Sequence, residues 1–209
     1  MQHAVLQIHG GLAINTRLPA LAREQEGLRG AEILLLLGTG AVAALASAFL
    51  DFGLRIPGHA IIRAVFPMAF GLAVVPRQLG GSVMGMGALA TAVAIKAGGA
   101  GALGLGAMTS LLLTGPMLDL ALWRAKPGWR LYLGFALAGL ATNLVAMAVR
   151  GGQKVGGLDS IHGRPLADWL PVAAGTYALC GALAGLISAL VWFQFAAEHG
   201  PSGDSGKKA

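Results

Sequence analysis

Charge is scarce in this chain. Only 11% of its 209 residues are Asp, Glu, Lys or Arg, against about 25% in an ordinary water-soluble domain. Cysteine occurs once, as Cys180 within an apolar run. One cysteine excludes a disulfide framework and a cysteine-built metal centre, and Cys180 reads as a small buried residue. No Walker motif, no His-Glu-x-x-His and no cofactor-binding signature is present. Gly80-Gly-Ser82-Val-Met-Gly85 is not a nucleophile elbow, because its last glycine comes one place late. No apolar run carries the regular arginines of a voltage sensor. Carboxylates are too few within the runs for a proton-driven pump. These absences predict a protein that is not an enzyme and does not energise transport by itself.

What fills the chain instead is apolar. Hydrophobic residues make up 56% of it, with 33 glycines and a mean hydropathy of +0.69. A helix needs about 20 mostly apolar residues to cross the hydrocarbon core of a bilayer. Spans are predicted at 32–50, 59–76, 79–97, 100–122, 131–149 and 171–197, the second short and carrying Pro67. The fold class expected is all-α, a polytopic membrane protein with about six transmembrane helices. Residues 32–197 form the membrane domain. Residues 1–31 precede it and do not read as a secretory signal, with Leu18–Arg29 a candidate amphipathic surface helix. Residues 198–209 read as a polar tail.

Lys and Arg set the expected orientation. With both termini on one side, that side holds Arg17, Arg23, Arg29, Arg77, Arg124, Lys126, Arg130, Lys207 and Lys208. The other holds Arg55, Lys96, Arg150, Lys154 and Arg164, and Arg63 falls within the second span. Both termini are therefore expected in the cytoplasm of a cell with this protein in its plasma or inner membrane. The net charge of +6 follows from this bias. No basic stripe suggests a nucleic-acid partner.

Polar residues gather at the outer ends of the spans. In Asp51-Phe-Gly-Leu-Arg55-Ile-Pro-Gly-His59-Ala-Ile-Ile-Arg63, His59 and Arg63 share a helix face at a helix start, an arrangement that favours anions. An arginine inside an apolar span either faces protein or water, snorkels outward, or pairs with a carboxylate such as Asp51. The segment Arg150–Leu170 reads as a long outer loop, either a binding loop or a solvated linker. Folded over the outer mouth, its Asp159 and His162 could join Asp51 and His59 around a divalent metal; the metal itself is unknown. Asn143 offers a helix–helix hydrogen bond or a ligand contact from within the fifth span. Asp119, near the inner end of the fourth, can pair with Arg124, cap backbone near Pro116, or relay protons. Small residues recur every four positions at Gly40, Ala44 and Ala48, at Gly81 and Gly85, and at Gly181 and Gly185. Such stripes let backbones meet, within the chain or at a docking face for another subunit.

Taken together, the spans, the Gly40-xxx-Ala44-xxx-Ala48 stripe, Arg55-Ile-Pro-Gly-His-Ala60 and Pro76-Arg77 resemble the substrate-binding (S) components of energy-coupling factor transporters. The resemblance covers Glu32–Ala197. It implies capture of a vitamin, cofactor precursor or metal ion at Asp51, Arg55, His59, Arg63 and the 150–170 loop. It also implies docking through Gly40, Ala44 and Ala48 on a transmembrane coupling subunit served by cytoplasmic ATPases. The chain departs from the family in its few outer aromatics, chiefly Trp169 and Tyr177. It also lacks an outward Met-His start, His3 standing one place later. Two rival readings come from the residues alone. One is an accessory structural subunit of a larger membrane complex. The other is a membrane enzyme acting on lipid through Asp51, His59 and Asp119.

Overall fold

In the computed structural model the described residues are 28–50, 56–77, 79–100, 103–124, 129–157 and 166–199. They are helical, with no strand among them. The helices are α1 (Gly30–Phe49), α2 (Ile62–Val74, entered through a 3-10 turn at His59–Ile61), α3 (Gly80–Ala97), α4 (Leu105–Arg124), α5 (Trp129–Val155) and α6 (Leu166–His199). All but α2 are long and apolar enough to cross a membrane, as expected of a multi-pass membrane protein. The described residues do not include the candidate surface helix ahead of Leu28 or the tail beyond His199.

Packing closes the helices into a ring in the order α1, α3, α4, α5, α6, α2 and back to α1. Leu36, Met68, Leu72, Met84, Leu111, Leu118, Leu131 and Phe135 fill the core. Large apolar side chains such as Leu34, Val42, Met86, Leu137 and Leu179 face outward. In a bilayer that outward face meets acyl chains, and the spanning helices satisfy their own backbone.

Small residues set the ring's tightest seams. A methyl group on Gly40 would run into the Met84 carbonyl of α3, and one on Gly115 into the Gly81 carbonyl. Between α5 and α6, Gly139, Gly181 and Gly185 meet backbone to backbone in the same way. Close approach of this kind is available only where no side chain intervenes. The Gly40 stripe is therefore spent inside the chain. Gly40 and Ala44 are buried and Ala48 is half-buried, so these residues do not form the outward docking face that the resemblance implies.

Three ends differ from the sequence reading by five residues or more. Helix α4 starts at Leu105 rather than residue 100. Helix α5 runs on to Val155, and α6 begins at Leu166. The expected loop Arg150–Leu170 thus loses both its ends to helix, and Arg150, Lys154 and Asp168 become helical residues. Gly151 and Gly152 do not stop α5, because this part of it packs on α6. Lys154 lies 5.0 Å from the centre of the Trp169 ring, a cation–π contact, and the Trp169 ring approaches closely over Gly151.

The end of the ring opposite this hairpin is tied by polar contacts. Arg77, only 4% exposed in its side chain, pairs with Glu32 of α1 at 3.1 Å. Helix α3 starts from Leu79, which has a left-handed backbone (φ 64°) and supplies no side-chain cap. Asp119 of α4 caps it instead. Its carboxylate accepts the Gly81 N–H, the Ser82 N–H and the Ser82 hydroxyl, each at 2.7 Å. Asp119 caps backbone, as one sequence reading expects, but the backbone belongs to the neighbouring helix.

Candidate functional site

Helix α2 is the short member of the ring. With its 3-10 turn it covers His59–Val74, about 24 Å at 1.5 Å per residue, against about 30 Å for a bilayer core. Pro57 and Gly58, just ahead of it, form a turn, and among the described residues the ring stays open at that end. The result is a cavity of about 560 Å³. Its wall is completed by the end of α1, the start of α4, the last turns of α5 and Tyr177 of α6. That volume falls within the usual range for small-molecule pockets, roughly 300–1,000 Å³. A single ion would leave most of it empty.

The floor is built around Gly58. Its φ of +85° is a conformation that L side chains rarely adopt. A Cβ there would stand 2.9 Å from the Tyr177 Cα and 3.0 Å from the Asn143 Nδ2. Glycine is thus needed twice, for the turn and for the approach of α5 and α6. Asn143, buried in α5, donates from Nδ2 to Gly58 O at 3.1 Å and to Tyr177 O at 2.8 Å. It forms the expected interhelical bond and also lines the cavity. The next residue after Gly58, His59, holds its ring by a 2.6 Å bond between Nδ1 and the Ile56 carbonyl. His59 Nε2 is withdrawn from solvent and has no hydrogen-bond partner.

Positive charge comes from two helices. Arg63 lines the cavity one turn beyond His59 and donates from Nη1 to the Leu50 carbonyl at the end of α1. Arg150 donates from Nη1 to the Tyr177 hydroxyl at 3.3 Å. No carboxylate is found among the described lining residues.

The structure brings together three of the seven expected ligand residues: His59, Arg63 and Asn143. Asp51, Arg55, Asp159 and His162 lie outside the described residues. Of the expected metal quartet only His59 is described, and no group of three potential ligands converges among the described residues. The sequence reading includes Arg150 and Gln153 in the 150–170 loop that it assigns to the site without naming either, and the structure makes both helical wall residues. A signal for them exists. Asn143, Ala146, Arg150 and Gln153 recur at helical spacing, and all four line the cavity.

The chain was compared with family models, curated proteins and solved structures, and none of them matches it.

Proposed function

We propose that this protein is a membrane-embedded binding component that captures a small anionic solute for uptake. The observation that carries the reading is the cavity at one end of the ring, walled by Arg63, Arg150 and His59 with no described carboxylate. Among the described lining residues the fully charged side chains are both arginines, and cations in a low-dielectric wall attract anions. The Lys and Arg distribution supports an outer position for this end, with both termini in the cytoplasm. The chain carries no nucleotide-binding motif, which supports a dependence of uptake on separate energising subunits. A transmembrane coupling subunit with cytoplasmic ATPases is the partner set that the S-component resemblance suggests. Docking would use a surface other than Gly40 and Ala44.

The lipid-enzyme reading gains nothing from the fold, because Asp119 is spent capping α3. The accessory-subunit reading loses one of its two motives, because the small-residue stripes serve the chain's own seams; the lack of catalytic motifs remains.

Gentle purification from the native membrane, with mass spectrometry of what accompanies the chain, tests the proposal. Recovery with an ATPase pair and a coupling subunit supports it. Recovery with an unrelated large complex, or with no partner, removes the transport reading. Uptake that survives both Arg63→Ala and His59→Ala removes the site.

A further inference from the structure

The end of the ring opposite the cavity carries its own concentration of positive charge. Arg124, Lys126 and Arg130 fall within a few residues of one another, and the sequence from Leu120 to Leu158 holds no Asp or Glu. Arg130 stands in the first turn of α5 and is exposed. No hydrogen bond or ion pair engages it among the described residues. The carboxylates of Glu32 and Asp119 at this end are engaged elsewhere. Glu32 is held by Arg77, and Asp119 is spent on the start of α3.

Two tryptophans flank this charge. Trp123 is 74% exposed and Trp129 is 61% exposed. Helix α4 ends at Arg124 and α5 starts at Trp129, so the two run antiparallel. They touch where a Cβ on Gly134 would stand 3.4 Å from the Ala121 Cβ. Counting out from that contact puts Trp123, Trp129 and Arg130 within about 5 Å of one another in depth. An indole has an apolar body and an N–H that needs an acceptor, and the boundary between acyl chains and headgroups suits both. An arginine at that depth meets lipid phosphate, and its planar fork can take two phosphate oxygens at once.

From this juxtaposition we infer that the joint of α4 and α5 binds the headgroup of an acidic phospholipid. Arg130 takes the phosphate, and Trp123 and Trp129 lie against the glycerol and the upper acyl chains. Charge selects an acidic lipid over a zwitterionic one. A zwitterionic headgroup brings its own cation to a surface that already has cations in excess, whereas an acidic headgroup brings net negative charge. One basic residue near an anionic bilayer surface favours association by roughly fivefold. The site is separate from the cavity and does not rest on the solute reading.

Native mass spectrometry of the full chain in mild detergent tests it, with dioleoylphosphatidylglycerol and dioleoylphosphatidylcholine as probes. The first phosphatidylglycerol adduct is expected to form at least about fivefold more tightly than the phosphatidylcholine adduct. Arg130→Gln should weaken phosphatidylglycerol binding by about fivefold and leave phosphatidylcholine binding as it was. Arg130 is exposed, so the fold should tolerate the change, and an unaltered melting curve serves as the control. Arg150→Gln, in the cavity wall, should leave the preference intact. Equal binding of the two lipids overturns the inference, as does a preference that Arg130→Gln does not touch. A preference lost in Arg150→Gln instead moves the headgroup to the cavity and removes this site. Displacement of the lipid by an equal concentration of glycerol 3-phosphate reassigns the surface to a soluble phosphate. Loss of a co-purifying subunit in Arg130→Gln, with lipid binding unchanged, reassigns it to a protein.

Discussion

The Asp119 carboxylate closes the N-terminus of α3 from the neighbouring helix, taking the Ser82 N–H and hydroxyl at 2.7 Å each. Helix starts leave N–H groups unsatisfied, and within a membrane no water is at hand to take them. Leu79, at the capping position, has no side chain for the task. The work falls to α4, which couples the formation of one helix end to the docking of another.

Asp119→Ala should therefore lower stability by on the order of 2 kcal/mol, the range for losing a cap and its charged hydrogen bonds. Thermal unfolding in mild detergent measures it. A proton-relay role makes the opposite forecast, with function lost and melting unchanged.

Identical substitutions at two glycines should differ in sign. Gly38 in α1 has open space where a Cβ would go, whereas Gly115 in α4 meets the backbone of Gly81. Gly38→Ala should be neutral or stabilising by up to about 1 kcal/mol, the usual helix-interior gain. Gly115→Ala should destabilise by about 1–3 kcal/mol, as overpacking does. Matching melting temperatures for the two variants would refute the backbone seam.

Glu32 and Arg77 should prove coupled. Each of Glu32→Gln and Arg77→Gln is expected to lower the melting temperature. The double variant should lose less than the sum, since the second change no longer breaks a pair. Simple additivity would show that the ion pair contributes nothing of its own.

At the cavity, Arg150→Gln should weaken binding of a carboxylate probe by about tenfold or more, the scale of one charge-assisted hydrogen bond. Arg150 is exposed at the wall, so the fold should tolerate the change, and an unaltered melting curve serves as the control. Undiminished binding would shift the anion site towards Arg63.

Gly58→Ala should damage both stability and binding. The side chain would enter a left-handed backbone and press on Tyr177 and Asn143, a strain of about 1–3 kcal/mol. Titration of the same carboxylate probes alongside a melting curve reads both effects. A variant with unchanged melting and affinity would disprove the close approach.

Much of this fold was legible because hydropathy reports the solvent of a helix directly, and the runs around Leu36, Met84 and Phe135 are long and clean. Helix ends were harder to read. Gly151-Gly152 and Pro171 look like breaks, yet neither outweighs the packing of α5 on α6, where Lys154 covers Trp169. A glycine costs a helix only about 1 kcal/mol, which one contact of that kind can offset. The site was legible where a polar residue stands out against an apolar background, as His59, Arg63 and Asn143 do. Arg150 was hidden by its false loop. The partners of Asn143 were not readable, since the carbonyls that it bonds lie 85 and 34 residues away in sequence.

The short reach of α2 has a consequence for how this chain can change over evolutionary time. The cavity is a space left by missing helical turns, so it is specified by a length as much as by a set of side chains. Lengthening α2 at its N-terminal end would plug the chamber without altering a single charged residue, and the ring could persist as an inert membrane bundle. The alanines and glycines along the start of α4 set the chamber's width in the same indirect way. Swapping them for larger residues would narrow the chamber without touching the charges on its wall.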